Sequence, residues 1–178
     1  KYDTKLVEKE RNISKLEIIN KFTISEKKLE LSIAISLTKK SNRFEWFLEK
    51  VTEIGISSIY PIVCDHSEKT SLNIKRAKKI LISSMKQSLQ TYVPEIYEPT
   101  DFNSFVTNYF KNSLNLIATK KTDFNPKPFL EFAGVEDTLI MIGPEGGFSN
   151  DELLIAKNAK FTAVSLGNNR LRTETAGV

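Results

Sequence analysis

The sequence predicts an α/β protein built on a parallel sheet, and three observations support that class. From Leu29 onward, short aliphatic runs alternate with helical patterns, the order that successive βαβ units produce. Two of the later runs, Thr138–Ile142 and residues 162–166, end in glycine-bearing turns that lead into helix starts. The 178 residues suffice for one sizeable domain plus a fragment of another.

Residues 1–28 precede the alternating region. Runs of alternating apolar and polar side chains at 2–7 and 15–22, with a turn at Lys9, Glu10, Arg11 and Asn12, predict a β-hairpin. An isolated hairpin is marginal in water, so these strands need a further surface to pack on. Residues 29–37 are expected to form a strand. Residues 43–54 read as a helix because Phe44, Phe47, Leu48 and Val51 recur at i, i+3, i+4 and i+7, with Gly55 as C-cap. Trp46 falls about 160° from that stripe, which favours burial against a partner chain or a neighbouring domain over a stray surface position or base stacking.

Residues 56–64 form a second predicted strand, with Pro61 marking an edge or a bend. A polar loop at 65–73 carries the only histidine, His66, read as a surface residue. Residues 74–92 predict an amphipathic helix. Ile74, Ala77, Leu81, Met85, Ser88 and Tyr92 share one face; Lys75, Lys79, Lys86 and Gln90 share the other. Those lysines are either a solvated face or a ridge that contacts phosphates. Val93-Pro94 stops the helix. A short helix at 102–110, a buried strand Leu114–Ala118, a proline-marked loop at 125–128 and a short helix near 129–133 follow.

The stretch with the most local information is Met141-Ile142-Gly143-Pro144-Glu145-Gly146-Gly147-Phe148-Ser149-Asn150-Asp151-Glu152-Leu153. Ser149 and Glu152 have the spacing of a capping box, and Phe148 and Leu153 that of a hydrophobic staple. Gly143 to Gly147 is therefore a strand-to-helix turn, either structural or built to bring free backbone groups close to a ligand. It is neither a dinucleotide fingerprint nor a P-loop.

Composition narrows the setting. An apolar fraction of 40% with 27% charged residues suits a water-soluble globular protein, and no run approaches a membrane span. A single cysteine, Cys64, excludes a disulfide framework and a cysteine-cluster metal site, which fits a reducing cytoplasm. The formal charge of +4 favours a polyanionic partner. The sequence opens on Lys1 and stops just after an arginine-rich motif, so it reads as cut at both ends.

That motif is Leu166-Gly167-Asn168-Asn169-Arg170-Leu171-Arg172-Thr173-Glu174-Thr175-Ala176. Together with I-G-P-E-G-G-F at 142–148 it resembles the RsmE family, SPOUT-class methyltransferases that methylate N3 of a uridine in 16S ribosomal RNA. Lys40, Arg43, Glu45, Lys50, Glu53 and Gly55 fall on the family's upstream K-x-x-[KR]-x-E-x-x-x-x-K-x-x-E-x-G pattern, and Gln87-Ser88 and Val93-Pro94-Glu95 echo its E-Q-S…V-P-E segment. Lys86 and Gln90 depart from it, standing where many relatives have glutamate and arginine.

The resemblance implies a deep trefoil knot in residues 29–178, with the C-terminal helix cut short, preceded in 1–28 by the last hairpin of a PUA-like RNA-binding barrel. It implies S-adenosylmethionine as cofactor, 16S ribosomal RNA of the small subunit as partner, a homodimer, and neither a metal nor a membrane. The cofactor would lie against Ala118 and Thr119, then Ile142, Gly143, Pro144, Glu145, Gly146 and Gly147. Its third wall would be Leu166, Gly167, Arg170, Leu171, Thr175 and Ala176. Arg172 is the candidate for stabilising charge on uracil, and Glu174 the weaker candidate for a base, with an ion pair to Arg170 or Arg172 as its alternative. Lys40, Arg43, Lys75, Lys79 and Lys86 are candidate RNA contacts. Glu145 has two readings, a ribose contact or a cap for the next helix. The competing functions are a SPOUT enzyme acting on ribose or on transfer RNA, and a non-catalytic RNA-binding protein of the same fold.

Overall fold

The computed structural model describes residues 2–22, 29–108, 114–132, 134 and 136–178. The chain begins with strands β1 (Tyr2–Lys9), β2 (Ser14–Lys21) and β3 (Leu31–Ser36), helix α1 (Ser41–Ile54), β4 (Ser58–Val63) and α2 (Ile74–Gln87). It continues through β5 (Glu95–Ile96), β6 (Thr100–Asp101), α3 (Phe102–Asn108), β7 (Leu114–Ala118) and β8 (Lys127–Pro128). The last elements are β9 (Thr138–Ile142), α4 (Asn150–Asn158), β10 (Thr162–Ser165) and α5 (Thr173–Ala176).

The sheet runs β5-β4-β3-β9-β7-β10-β8, with β6 also on β4, and every pairing in it is parallel. Parallel sheets are covered on both faces, and the side-chain alternation of β3 follows from that. Ile33 and Ile35 pack on one side with Phe44, Phe47 and Leu48 of α1 and Leu81 of α2. Ala34 points to the other side, where Leu139 and Met141 of β9 meet Phe102 and Phe105 of α3 and Leu153 of α4. β9 is buried at every position, which is why it reads as an unbroken apolar run.

The expected α/β class with a parallel sheet is what the chain adopts. β4 carries Pro61 and yet is not an edge strand. β4 pairs with β3 along its length, whereas on its other side it meets β5 at Ser58 and Ile59 and β6 at Ile62 and Val63. Pro61 falls in the gap between those two short partners, where a missing N–H costs no ladder bond. The expected strands at 29–37, 56–64 and 162–166 are each trimmed at their ends.

Helix α2 ends at Gln87, short of the expected 92. Two residues of the expected last turn, one from each face, are used elsewhere: Gln90 Nε2 donates to the Glu53 carbonyl and Tyr92 Oη to that of Gly55, so they hold the C-terminus of α1. Leu89 adopts a positive φ of 57°, which turns the chain out of the helix. α3 is described as far as Asn108, and Phe110 of the expected helix lies outside the described residues. The stretch near 129–133 holds a single 3-10 turn, Phe129–Glu131, and Ala133 is likewise outside the description.

The capping box of α4 is complete. Ser149 Oγ accepts from the Glu152 amide at 3.1 Å, and Glu152 Oε2 accepts from the Ser149 amide at 2.7 Å. Phe148 and Leu153 are both buried in the same cluster, as a hydrophobic staple requires. Ser149→Ala should lower stability by about 1 kcal/mol, read as a shifted denaturant midpoint with an unchanged slope.

β1 and β2 pair antiparallel as a separate two-stranded ribbon, and every residue of both strands is exposed. Tyr2, Leu6, Leu16 and Ile18 are among the apolar side chains left open there. At the other end of the chain, α5 folds back onto α1. Gly177, just after α5, lies so close to Phe47 and Ile35 that an added Cβ would stand 2.6 Å from the Phe47 ring and 2.9 Å from Ile35 Cδ1.

Candidate active site

β9, β7 and β10 are consecutive neighbours in the sheet, and because they are parallel their C-terminal ends open on one edge. Three turns leave that edge together: Thr119 to Lys121, Gly143 to Gly147, and Leu166 to Leu171. They enclose a cleft of about 370 Å³, within the range of small-molecule sites. Ile142, Pro144, Phe148, Leu166, Leu171 and Ala176 give it apolar walls, and Glu145 is its single acidic lining residue among the described residues.

The turns are tied to one another and to the sheet by backbone and side-chain bonds. Thr119 N donates to Val164 O of β10 at 2.9 Å. Lys120 Nζ donates to the Asn168 carbonyl at 2.8 Å and also to that of Asn169, joining the first turn to the third. Thr173 Oγ1 donates to the Gly143 carbonyl at 3.1 Å, joining α5 to the second turn. Lys121 Nζ reaches Asn150 Oδ1 at the start of α4, 2.7 Å away. Two of the cleft's cations are thus occupied in holding its shape.

The glycines do different work from what the sequence suggests. A Cβ at Gly146 would point at His66, 3.0 Å from its Cβ, and one at Gly143 would meet the Phe148 ring at 3.1 Å. Of the glycines in the two motifs, Gly147 and Gly167 are the ones with open space within 4 Å, and both have positive φ, 73° and 109°. Gly146→Val would therefore strike His66 and distort the turn from behind.

A scan of family models matches residues 25–178 to the RNA methyltransferase domain. The ribosomal RNA small subunit methyltransferase E of Mesomycoplasma hyopneumoniae strain 232 is 30% identical over 177 residues, covering 94% of this chain and 74% of that protein. This chain belongs to the ribosomal RNA small subunit methyltransferase E family. It spans 62% to 74% of the length of the first such curated relatives. Among solved structures, a probable rRNA-methyltransferase from Porphyromonas gingivalis is 35% identical with a TM-score of 0.91, covering 99% of this chain and 75% of that one. A member of the same named family from Neisseria gonorrhoeae, bound to S-adenosyl methionine, has a TM-score of 0.88 at 24% identity, covering 99% and 74%. At that identity it speaks for the shared fold alone.

Within this family member, Ala118, Thr119, Ile142, Gly143, Pro144, Glu145, Gly146 and Gly147 of the expected cofactor set line the cleft, as do Leu166, Arg170, Leu171 and Ala176. Gly167 and Thr175 lie outside its lining. Lys120, Lys121, Phe148, Asn169 and Thr173 line it without having been picked from the sequence. A signal was present for some of them: Lys120 and Lys121 follow directly on a buried strand, and Thr173 sits inside the arginine motif.

Arg172 is exposed and forms the N-cap position of α5, next to Thr173 in the lining. Glu174 does not pair with Arg170 or Arg172. It is buried on the α1 side of α5, with Arg43 Nε 3.5 Å from its Oε1, while Oε2 has no hydrogen-bond partner among the described residues. Thr173 and Ala176, one turn apart, face the cleft, and Glu174 lies about 100° round the helix from Thr173, on the side of α1. Arg43, expected at RNA, is thus committed at least in part to an internal ion pair. Lys40, Lys75, Lys79 and Lys86 are exposed and none lines the cleft.

Glu145 does not cap α4, since Ser149 and Glu152 do; its Oε1 instead lies 3.4 Å from the Lys39 amide. Cys64 is buried, and burial together with the nearby Glu152 carboxylate pushes its thiol well above the usual range. It is therefore held as the unreactive thiol. Trp46 is 40% exposed and retains an open face.

Proposed function

We propose that this chain methylates N3 of a specific uridine in 16S ribosomal RNA, using S-adenosylmethionine bound in the three-turn cleft. The observation that carries the reading is the convergence of the two sequence motifs, 142–148 and 166–176, on one cleft at the sheet edge. The cleft suits this cofactor in kind: apolar walls for the adenine, a positive-φ glycine facing open space, and one carboxylate, Glu145, able to accept from ribose hydroxyls or to offset a cationic sulfur. S-adenosylmethionine supplies a methyl group open to in-line attack by a ring nitrogen.

The chain's own residues then have two tasks. Rigid turns orient the reactants, which can supply on the order of 7–11 kcal/mol of the barrier. Arg172 places a permanent cation beside the uracil carbonyl oxygens, which gather charge as N3 loses its proton, or beside the adjacent phosphate. Glu174, buried against Arg43, serves as the anchor of α5, and the N3 proton passes to solvent. The uridine must be unstacked to expose N3, which favours a single-stranded or flexible site. Lys40, Lys75, Lys79 and Lys86 are the exposed cations offered to the RNA backbone.

The reading extends to the architecture. The segment from β9 through α5 forms a trefoil knot, in keeping with the return of Gly177 to Phe47 and Ile35. β1 and β2 are the last hairpin of a PUA-like barrel, whose other strands would cover Leu6, Leu16 and Ile18. The enzyme acts in the cytoplasm as a symmetric homodimer. Trp46, Ile54 and Leu171 are exposed apolar side chains that such an interface would bury. Light scattering over a dilution series should give a dimer down to micromolar concentration, with an interface of about 1,200–2,000 Å². A monomer that methylates at full rate would remove the dimer from the account.

The function is tested by deleting the gene. Nucleoside mass spectrometry of small-subunit ribosomal RNA should lose N3-methyluridine and regain it when the full-length gene returns. An unchanged mark in the deletion strain would refute the proposal.

A further inference from the structure

The loop joining β4 to α2 is more than a polar connector. It runs along the sheet edge and is fastened at each step to an element that frames the glycine turn. Ser67 Oγ meets Ser36 Oγ at 2.9 Å, at the end of β3, and also accepts from Cys64 N at 2.8 Å. Glu68 pairs with Lys39 at 2.6 Å. Asp65 N donates to Glu152 Oε1 at 2.9 Å, so the buried capping carboxylate of α4 serves the loop with one oxygen and the helix cap with the other. None of these loop residues lines the cleft.

His66 makes the one contact that reaches the turn itself. Its Nδ1 lies 2.9 Å from the Gly147 carbonyl, and its Cβ and Cγ stand 3.0 and 3.3 Å from the place a Gly146 Cβ would occupy. A carbonyl only accepts, so Nδ1 carries the proton. The turn has little to hold it from within: Gly147 N to Pro144 O, 2.8 Å, closes it. Two successive glycines leave many backbone conformers open, including the positive φ that Gly147 adopts. An outside tether on the Gly147 carbonyl selects one of them.

We propose that His66 is a positioning residue, which sets the path of the Gly143–Gly147 turn from behind and so pre-organises it for S-adenosylmethionine. The inference rests on the reading of the cleft as the cofactor site. Its energetic basis is ordinary: a segment already held in its binding conformation loses less entropy on binding.

Asparagine and glutamine separate this role from mere packing. In asparagine the N–H donor is two bonds from Cβ, as Nδ1 is in histidine; in glutamine it is three bonds away. Calorimetry with S-adenosylmethionine should show His66→Asn within about twofold of the wild type. His66→Ala and His66→Gln should each bind roughly three- to tenfold more weakly, the worth of one neutral hydrogen bond. Thermal midpoints without cofactor should agree among the Asn and Gln variants, so a general loss of folding cannot produce the split. Equal affinity for all four proteins overturns the inference while leaving the cofactor site intact. So does His66→Asn binding as weakly as His66→Gln. A wild type that does not bind S-adenosylmethionine overturns the cofactor reading and the inference with it.

Discussion

Gly177→Ala should raise the dissociation constant for S-adenosylmethionine by about ten- to hundredfold while most of the sheet stays folded. The added Cβ would stand 2.6 Å from the Phe47 ring and 2.9 Å from Ile35 Cδ1. Neither neighbour can yield, since both are fully buried at 0% exposure. Overpacking of this kind costs about 1–3 kcal/mol. α5 is only four residues long and has no stability of its own away from α1. The strain is therefore relieved by lifting α5, which withdraws Thr173 and Ala176 from the cleft and breaks the Thr173 to Gly143 bond. Calorimetry reads the affinity, and circular dichroism checks that the sheet survives. Wild-type affinity in this variant would mean that α5 is not part of the site.

Arg172→Ala should lower the rate of methyl transfer by about 10²–10³ while changing cofactor affinity little. The side chain is exposed at the N-terminus of α5 and outside the cleft lining, and the proposed function assigns it to the RNA and not to the cofactor. Single-turnover rates at saturating cofactor, set beside calorimetric affinities, separate the two effects. If affinity falls as far as the rate, Arg172 belongs to the cofactor wall. Arg172→Lys should recover only part of the loss, because an ammonium lacks the planar fork of a guanidinium.

What could be read from the residues, and what could not, divides along physical lines. Local rules were sufficient where a segment satisfies its own bonds. Gly55 adopts the positive φ of a C-cap, Ser149 and Glu152 close their box, and β9 is the buried strand its composition implies. They failed where a segment's partners are distant in sequence. Ser88, Gln90 and Tyr92 follow the helical period of α2, yet the last two are taken by carbonyls of α1, and the helix ends early. The dipeptide strands β5, β6 and β8 carry almost no signal of their own and exist because β4 and β10 offer them an edge.

The site followed the same division. The glycine and arginine motifs marked two of the three turns, and the third was placed by the strand before it. The roles inside those motifs depended on contacts from elsewhere. Glu174 turned to Arg43, more than a hundred positions earlier in the chain, and the absence of a side chain at Gly146 proved to make room for His66. Neither contact follows any periodicity, so neither was visible before the chain was folded.

The account stands most directly on where the methyl group goes. Small ribosomal subunits lacking the modification would be incubated with the full-length protein and methyl-labelled S-adenosylmethionine, and the RNA digested to nucleosides for mass spectrometry. The account predicts label in N3-methyluridine and in no other nucleoside. Label in a 2'-O-methylated nucleoside, or none in RNA despite bound cofactor, would contradict it.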